Sequence, residues 1–149
     1  MPIPFTHGFV NQFGQTVSAA YPSYASYEID SDTPDLTIAL GWAQNFQPVP
    51  NVVAAIMDIN VTASSTGIMV LPDATQASVG TTFIFNNYSG SQSVQIQDIT
   101  GDLLATIAVQ SSESTEASSI KMYLVDNSTA AGSWRIIDLG GVAGGFNPS

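Results

Sequence analysis

Cysteine is absent from the 149 residues, which excludes a disulfide framework and a thiolate metal site. Positive charge is nearly absent too. Lys121 and Arg135 stand against twelve carboxylates, for a net charge of −10. Binding to DNA or RNA is driven by neutralising phosphates with lysine and arginine, and two cations cannot do that. Attraction to an anionic membrane surface fails for the same reason. His7 is the single histidine. A nucleophilic triad would need it held by a carboxylate beside an activated hydroxyl, and no G-x-S-x-G elbow accompanies it. P-loop, dinucleotide and zinc spacings are missing as well. No apolar run approaches the ~20 residues that span a bilayer. The opening "MPIPFTHGFVNQFG" lacks the basic and apolar regions of a signal peptide, so production in a cytoplasm is expected.

Charge of either sign is scarce, at 9% of residues against about 25% in ordinary soluble domains. Depletion of charge marks the buried cores of protein–protein interfaces. The expectation is therefore an oligomer, or a component docked on something larger. Sheet edges give a second argument. Natural β proteins often protect them with lysine, and this chain has Lys121 alone.

What is present is short alternation. "LTIALGW" (36–42), "AIMDINVTA" (55–63) and "SVQIQDI" (93–99) alternate apolar and polar residues, and "TTFIF" (81–85), "IKMYLV" (120–125) and "SWRIIDL" (133–139) are further short strand-like runs. Turn chemistry separates the runs, as in "TGD" at 100–102, where Gly101 can take a positive φ. Short strands with turn signals every 8 to 12 residues predict an all-β fold, an antiparallel sandwich or barrel of jelly-roll type. A helical turn over "NVVAAIM" (51–57) is the one expected exception. The chain divides into an irregular N-terminal arm with one strand (1–50), a β-sandwich domain (51–139) and a glycine-rich tail (140–149). No internal repeat stands out.

Candidate binding residues are few. Glu28, Asp30, Asp32 and Asp35 in "EIDSDTPD" bring four hard oxygen ligands within eight residues, a pattern that suits Ca²⁺. The glycine and distal glutamate of an EF-hand loop are missing, and an acidic surface loop explains the stretch equally. Other acids sit at turns and on polar faces, where aspartate bonds the local backbone, so no catalytic pair and no cofactor is expected. Phe5, Phe9 and Phe13 recur every four residues, then Tyr21, Tyr24 and Tyr27 every three. Nearby prolines and glycines oppose a helix, leaving two readings: anchors on a neighbouring subunit, or caps on the domain's own core.

Taken together, "VLPDATQASVGTTFIFNN", "VQIQDITGDLLATI" and "MYLVDNSTAAGSWRIID" resemble β-modules of tailed-bacteriophage virions. The elements shared are a Leu-Pro-Asp-Ala turn, Val-Gly before a "TFIFNN"-like strand, an Asp…Gly-Asp hairpin, and "DNST" ahead of a glycine and tryptophan. The match covers about residues 56 to 138. It implies that Pro72 and Asp73 turn the chain, that Gly80 admits the next strand, and that Phe83, Phe85 and Trp134 fill the core. It also implies a structural role on the virion. The expected role is a capsid decoration (cement) protein, a homotrimer bound to the major capsid protein on the head surface. The alternative is a receptor- or glycan-binding knob of a tail fibre or head fibre, with "NNYSGS" or "DNSTAAGSW" supplying exposed aromatics beside polar groups. Neither role involves nucleic acid, membrane or catalysis.

Overall fold

The computed structural model describes residues 9–10, 16–17, 24–42, 50–109 and 118–140. Its strands are β1 (Phe9–Val10), β2 (Thr16–Val17), β3 (Tyr24–Ile29), β4 (Thr37–Ala39), β5 (Ile56–Val61) and β6 (Gly67–Val70). They continue with β7 (Thr82–Asn87), β8 (Val94–Gln97), β9 (Leu103–Ile107), β10 (Ser118–Asp126) and β11 (Ser133–Gly140). β1 and β2 form a small ladder of their own. The rest make a five-stranded sheet, ordered β11-β10-β7-β5-β3, and a four-stranded sheet, ordered β4-β6-β8-β9. The two pack face to face around one core drawn from both.

The all-β sandwich follows from the alternation. In β5, Met57, Ile59 and Val61 are buried while Asp58 and Asn60 face out. In β10, Ser118, Ile120, Met122 and Leu124 are buried and the residues between them are not. β6 turns Met69 inward beside Gly67, where a Cβ would lie 2.8 Å from both Ile29 Cδ1 and Val61 Cγ2. The packing of β6 against Ile29 and Val61 of the other layer therefore requires glycine there.

The sandwich is open, not a barrel, and its pairing is mixed rather than purely antiparallel. From β3 to β8 the chain alternates between sheets, laying each new strand parallel to the one a turn earlier. β3, β5 and β7 pair in parallel in one sheet; β4, β6 and β8 do so in the other. Parallel neighbours need a crossover, and here the crossover is a strand of the opposite sheet. Antiparallel pairs complete the fold: β8 with β9, β7 with β10, and β10 with β11. Because β3 and β4 are strands of these sheets, the sandwich includes Tyr24–Ile29 and Thr37–Ala39. The expected helical turn over 51–57 is extended instead, with Val52 bridged to Gly41. Among the described residues Ala74–Gln76 forms a single 3₁₀ turn, and Pro34–Leu36 has the hydrogen-bond pattern of one but with Asp35 and Leu36 at φ of 52° and 55°.

Candidate functional site

Each sheet has one face against the core and one open face, and the two open faces differ in chemistry. On the four-stranded sheet, registered neighbours form two rows. Thr37, Ile68, Gln95 and Thr106 make one; Ala39, Val70, Gln97 and Leu103 make the other. The four strands contain no charged residue. Leu103 is 56% exposed. In a chain of net charge −10, this face is neutral and half apolar. The acids sit beside it instead: Asp30, Asp32 and Asp35 before β4, Asp73 after β6, Asp98 and Asp102 in the β8–β9 turn.

The open face of the five-stranded sheet is mixed: it carries both cations, Lys121 on β10 and Arg135 on β11, together with polar and aromatic groups and the exposed Ile56 and Ile137. A hydrogen-bonded line crosses four strands. The Tyr24 hydroxyl donates to Asp58 Oδ2 at 2.7 Å, and Asn86 Nδ2 donates to Asp58 Oδ1 at 2.9 Å. Ser119 Oγ in turn donates to Asn86 Oδ1. The bond to Asp58 is the main reason that the Tyr24 phenol is raised above its ordinary pKa; burial and the carboxylate charge add to it. Beside this line lies a cavity of about 420 Å³ lined by Ser26, Asp58, Ile59, Asn60 and Tyr88.

Tyr88 is 53% exposed, yet its backbone is held on both sides. Its N–H donates to Ile59 O at 2.8 Å. Its neighbours Asn87 and Ser89 are fully buried. Asn87 Nδ2 donates to Gln92 O and Ala108 O, its Oδ1 accepts from the Ser89 N–H, and Ser89 Oγ accepts from the Val61 N–H. Buried polar groups satisfied this fully fix a turn rigidly. The exposed tyrosine is thus mounted on an ordered base.

Residues singled out by the sequence fall mainly into structure. Phe83 and Phe85 are buried in the core. Trp134 is half-buried and stacks on Phe83 with ring centres 5.8 Å apart. Trp42, which the sequence did not single out, meets Phe83 as well at 6.0 Å. Its indole N–H donates to Asp73 O at 2.8 Å, tying β4 to the turn after β6. Pro72 is buried; Asp73 caps the 3₁₀ turn, its Oδ1 accepting from the Thr75 N–H and hydroxyl. Gly80 and Gly101 have φ of 95° and 96°, as their turns require.

Asp98 is the most constrained acid. Its Oδ1 accepts from the Thr100 N–H, the Thr100 hydroxyl and the Asp102 N–H. Burial pushes its pKa up, but these bonds outweigh it and hold the carboxyl below its ordinary value. Asp73 and Asp126 are lowered by hydrogen bonds from Thr75 and Ser128 respectively.

The Ca²⁺ candidates are not gathered into a site. Glu28 lies exposed on β3, and Asp30 Oδ1 accepts from Asp32 N and Thr33 Oγ1, closing a local turn. Among the described residues no three His, Cys, Asp or Glu side chains come together as metal ligands. Of the aromatic series, Phe5, Phe13 and Tyr21 lie outside the described residues, as does His7, and Phe9 belongs to β1. Tyr24 and Tyr27 point to opposite faces of β3. Tyr27 packs on the core and donates its hydroxyl to Val52 O, while Tyr24 stands on the open face.

No protein-family model matches the sequence, no curated protein matches it, and no solved structure matches the fold.

Proposed function

We propose that this chain is a structural protein of a tailed-bacteriophage virion, a decoration protein that binds the major capsid protein on the head surface. The observation that carries the reading is the uncharged open face of the four-stranded sheet. Bringing a surface of net charge −10 against a partner costs least where the charge is absent. An uncharged face of Thr, Ile, Val and Gln offers apolar area with few groups to desolvate unpaired. The resemblance of residues 56–138 to virion β-modules supplies the partner, and homotrimeric assembly on the lattice. The mechanism is passive. A protein that binds only the assembled shell stabilises it by mass action, with no cofactor and no turnover. The chain is made in the host cytoplasm and ends on the capsid surface.

Co-sedimentation with purified heads that lack the chain tests this. The expected result is saturable binding, weakened about tenfold or more (~1.4 kcal/mol) by the double variant Gln95→Glu, Gln97→Glu. That pair adds two charges to the neutral face without changing its shape. Binding that ignores both substitutions would move the docking surface elsewhere; no binding to heads would remove the decoration reading. The second reading, a receptor- or glycan-binding knob of a tail fibre or head fibre, draws on the Tyr88 cavity of the other sheet.

A further inference from the structure

We infer that the cavity beside Tyr88 is a binding site for a neutral monosaccharide unit. It lies on the sheet opposite the neutral docking face, so a decoration protein could present it outward as readily as a fibre knob could. Four features point to a sugar. First, Tyr88 lines the cavity and is 53% exposed, and an exposed aromatic ring offers an apolar face on which the C–H face of a pyranose can lie; Tyr24, which bonds Asp58, stands exposed nearby. Second, Asp58 is already oriented. One oxygen accepts from Tyr24 at 2.7 Å and the other from Asn86 at 2.9 Å. Each oxygen keeps a lone pair, so the carboxylate can accept from two adjacent sugar hydroxyls without reorganising.

Third, the lining mixes donors and acceptors. Asn60 contributes an amide and Ser26 a hydroxyl beside the Asp58 carboxylate. A polyol needs both kinds of group, since every hydroxyl gives and takes; an ammonium ligand needs acceptors only. A phosphate or other anion would meet Asp58 and the net charge of −10 with no cation in the lining. Fourth, the cavity is an open, shallow depression of about 420 Å³, which a single ring can occupy while one side stays in solvent. Rigidity of the Asn87–Ser89 turn lowers the ordering cost of binding.

The test uses the full chain labelled with ¹⁵N. Its amide spectrum is followed while glucose, galactose, mannose and N-acetylglucosamine are added separately, with choline as the cationic comparison. One sugar should shift the amides of Ser26, Asp58, Asn60 and Tyr88 saturably, with a Kd of about 1 mM, as expected of one small shallow site. Tyr88→Ala should abolish the shifts while leaving the rest of the spectrum in place. Asp58→Asn, which keeps shape and removes charge, should weaken binding about tenfold. The inference is overturned by sugars that shift none of these amides at tens of millimolar, by shifts confined to another surface, or by choline acting in their place. Failure here would leave binding to heads as it is, because that docking is read from a different face.

Discussion

At the scale of single residues, the clearest energetic statement concerns Asp98. Three donors converge on one oxygen of a side chain that is only 4% exposed. Asp98→Ala would strand those donors in the β8–β9 turn, and we expect a loss of about 1–3 kcal/mol in denaturant unfolding. The pH dependence has a definite sign. Asp73, Asp98 and Asp126 all titrate below their ordinary values when folded. Such a group stabilises the fold above its unfolded pKa of about 3.9, and that contribution is lost as pH falls through the lower folded value. Thermal melting should therefore change little from neutrality to about pH 4 and fall below it. Asp98→Ala should shallow that acid limb. An unchanged limb would show that Asp98 contributes nothing to it. Gly132 makes a steric prediction. Its φ is 70°, and a Cβ would sit 2.6 Å from Ala74 Cβ and 2.9 Å from Leu124 Cδ1. Gly132→Ala should lower the melting temperature markedly, whereas alanine at Gly80, where a Cβ meets nothing within 4 Å, should cost only the backbone strain. Trp134, half-buried on Phe83, should cost about 3 kcal/mol on replacement by alanine, the low end for a large aromatic.

At the scale of elements, local chemistry was readable and partnership was not. "QDITGD" announces a turn through aspartate and glycine, and β8–β9 closes there with Gly101 at positive φ. "TFIFNN" declares its buried face through Phe83 and Phe85. Alternation, however, specifies which face of a strand is buried and not which strand lies beside it. Ile56 of β5 sits between Tyr24 and Ile84, and nothing local to any of the three encodes that adjacency. The parallel winding was invisible for this reason, and so was the repeat it creates, since each turn uses different residues for the same position. The candidate cavity was half-legible. "NNYSGS" could be noticed for its tyrosine among polar residues. That Asn87 and Ser89 would be buried as a base for Tyr88, and that Ser26 and Asp58 would arrive beside it from β3 and β5, depended on the winding. Trp42 carried no signal that distinguished it from any tryptophan after a strand.

At the scale of the whole molecule, the account rests on where charge is placed. Carboxylates lie in loops and turns and on β3, β5, β10 and β11, both cations lie on the five-stranded sheet, and the four-stranded sheet presents a face with neither sign. A repeated unit on a shell needs one face that docks without electrostatic penalty and another left free. Under the proposed decoration role, the four-stranded sheet is the docking face and the five-stranded sheet the free one. If the neutral face docks, raising the salt concentration should scarcely change head binding, because screening acts on exposed charge pairs. A steep loss with salt would assign the contact to the face bearing Lys121 and Arg135.

The proposed decoration role is tested most directly by immunogold labelling of purified particles of the phage to which the proposal assigns this chain, with antibody raised against the chain. Label distributed over the head surface is the expected result. Label confined to the tail or fibre tips, or particles bearing none, would contradict a decoration role.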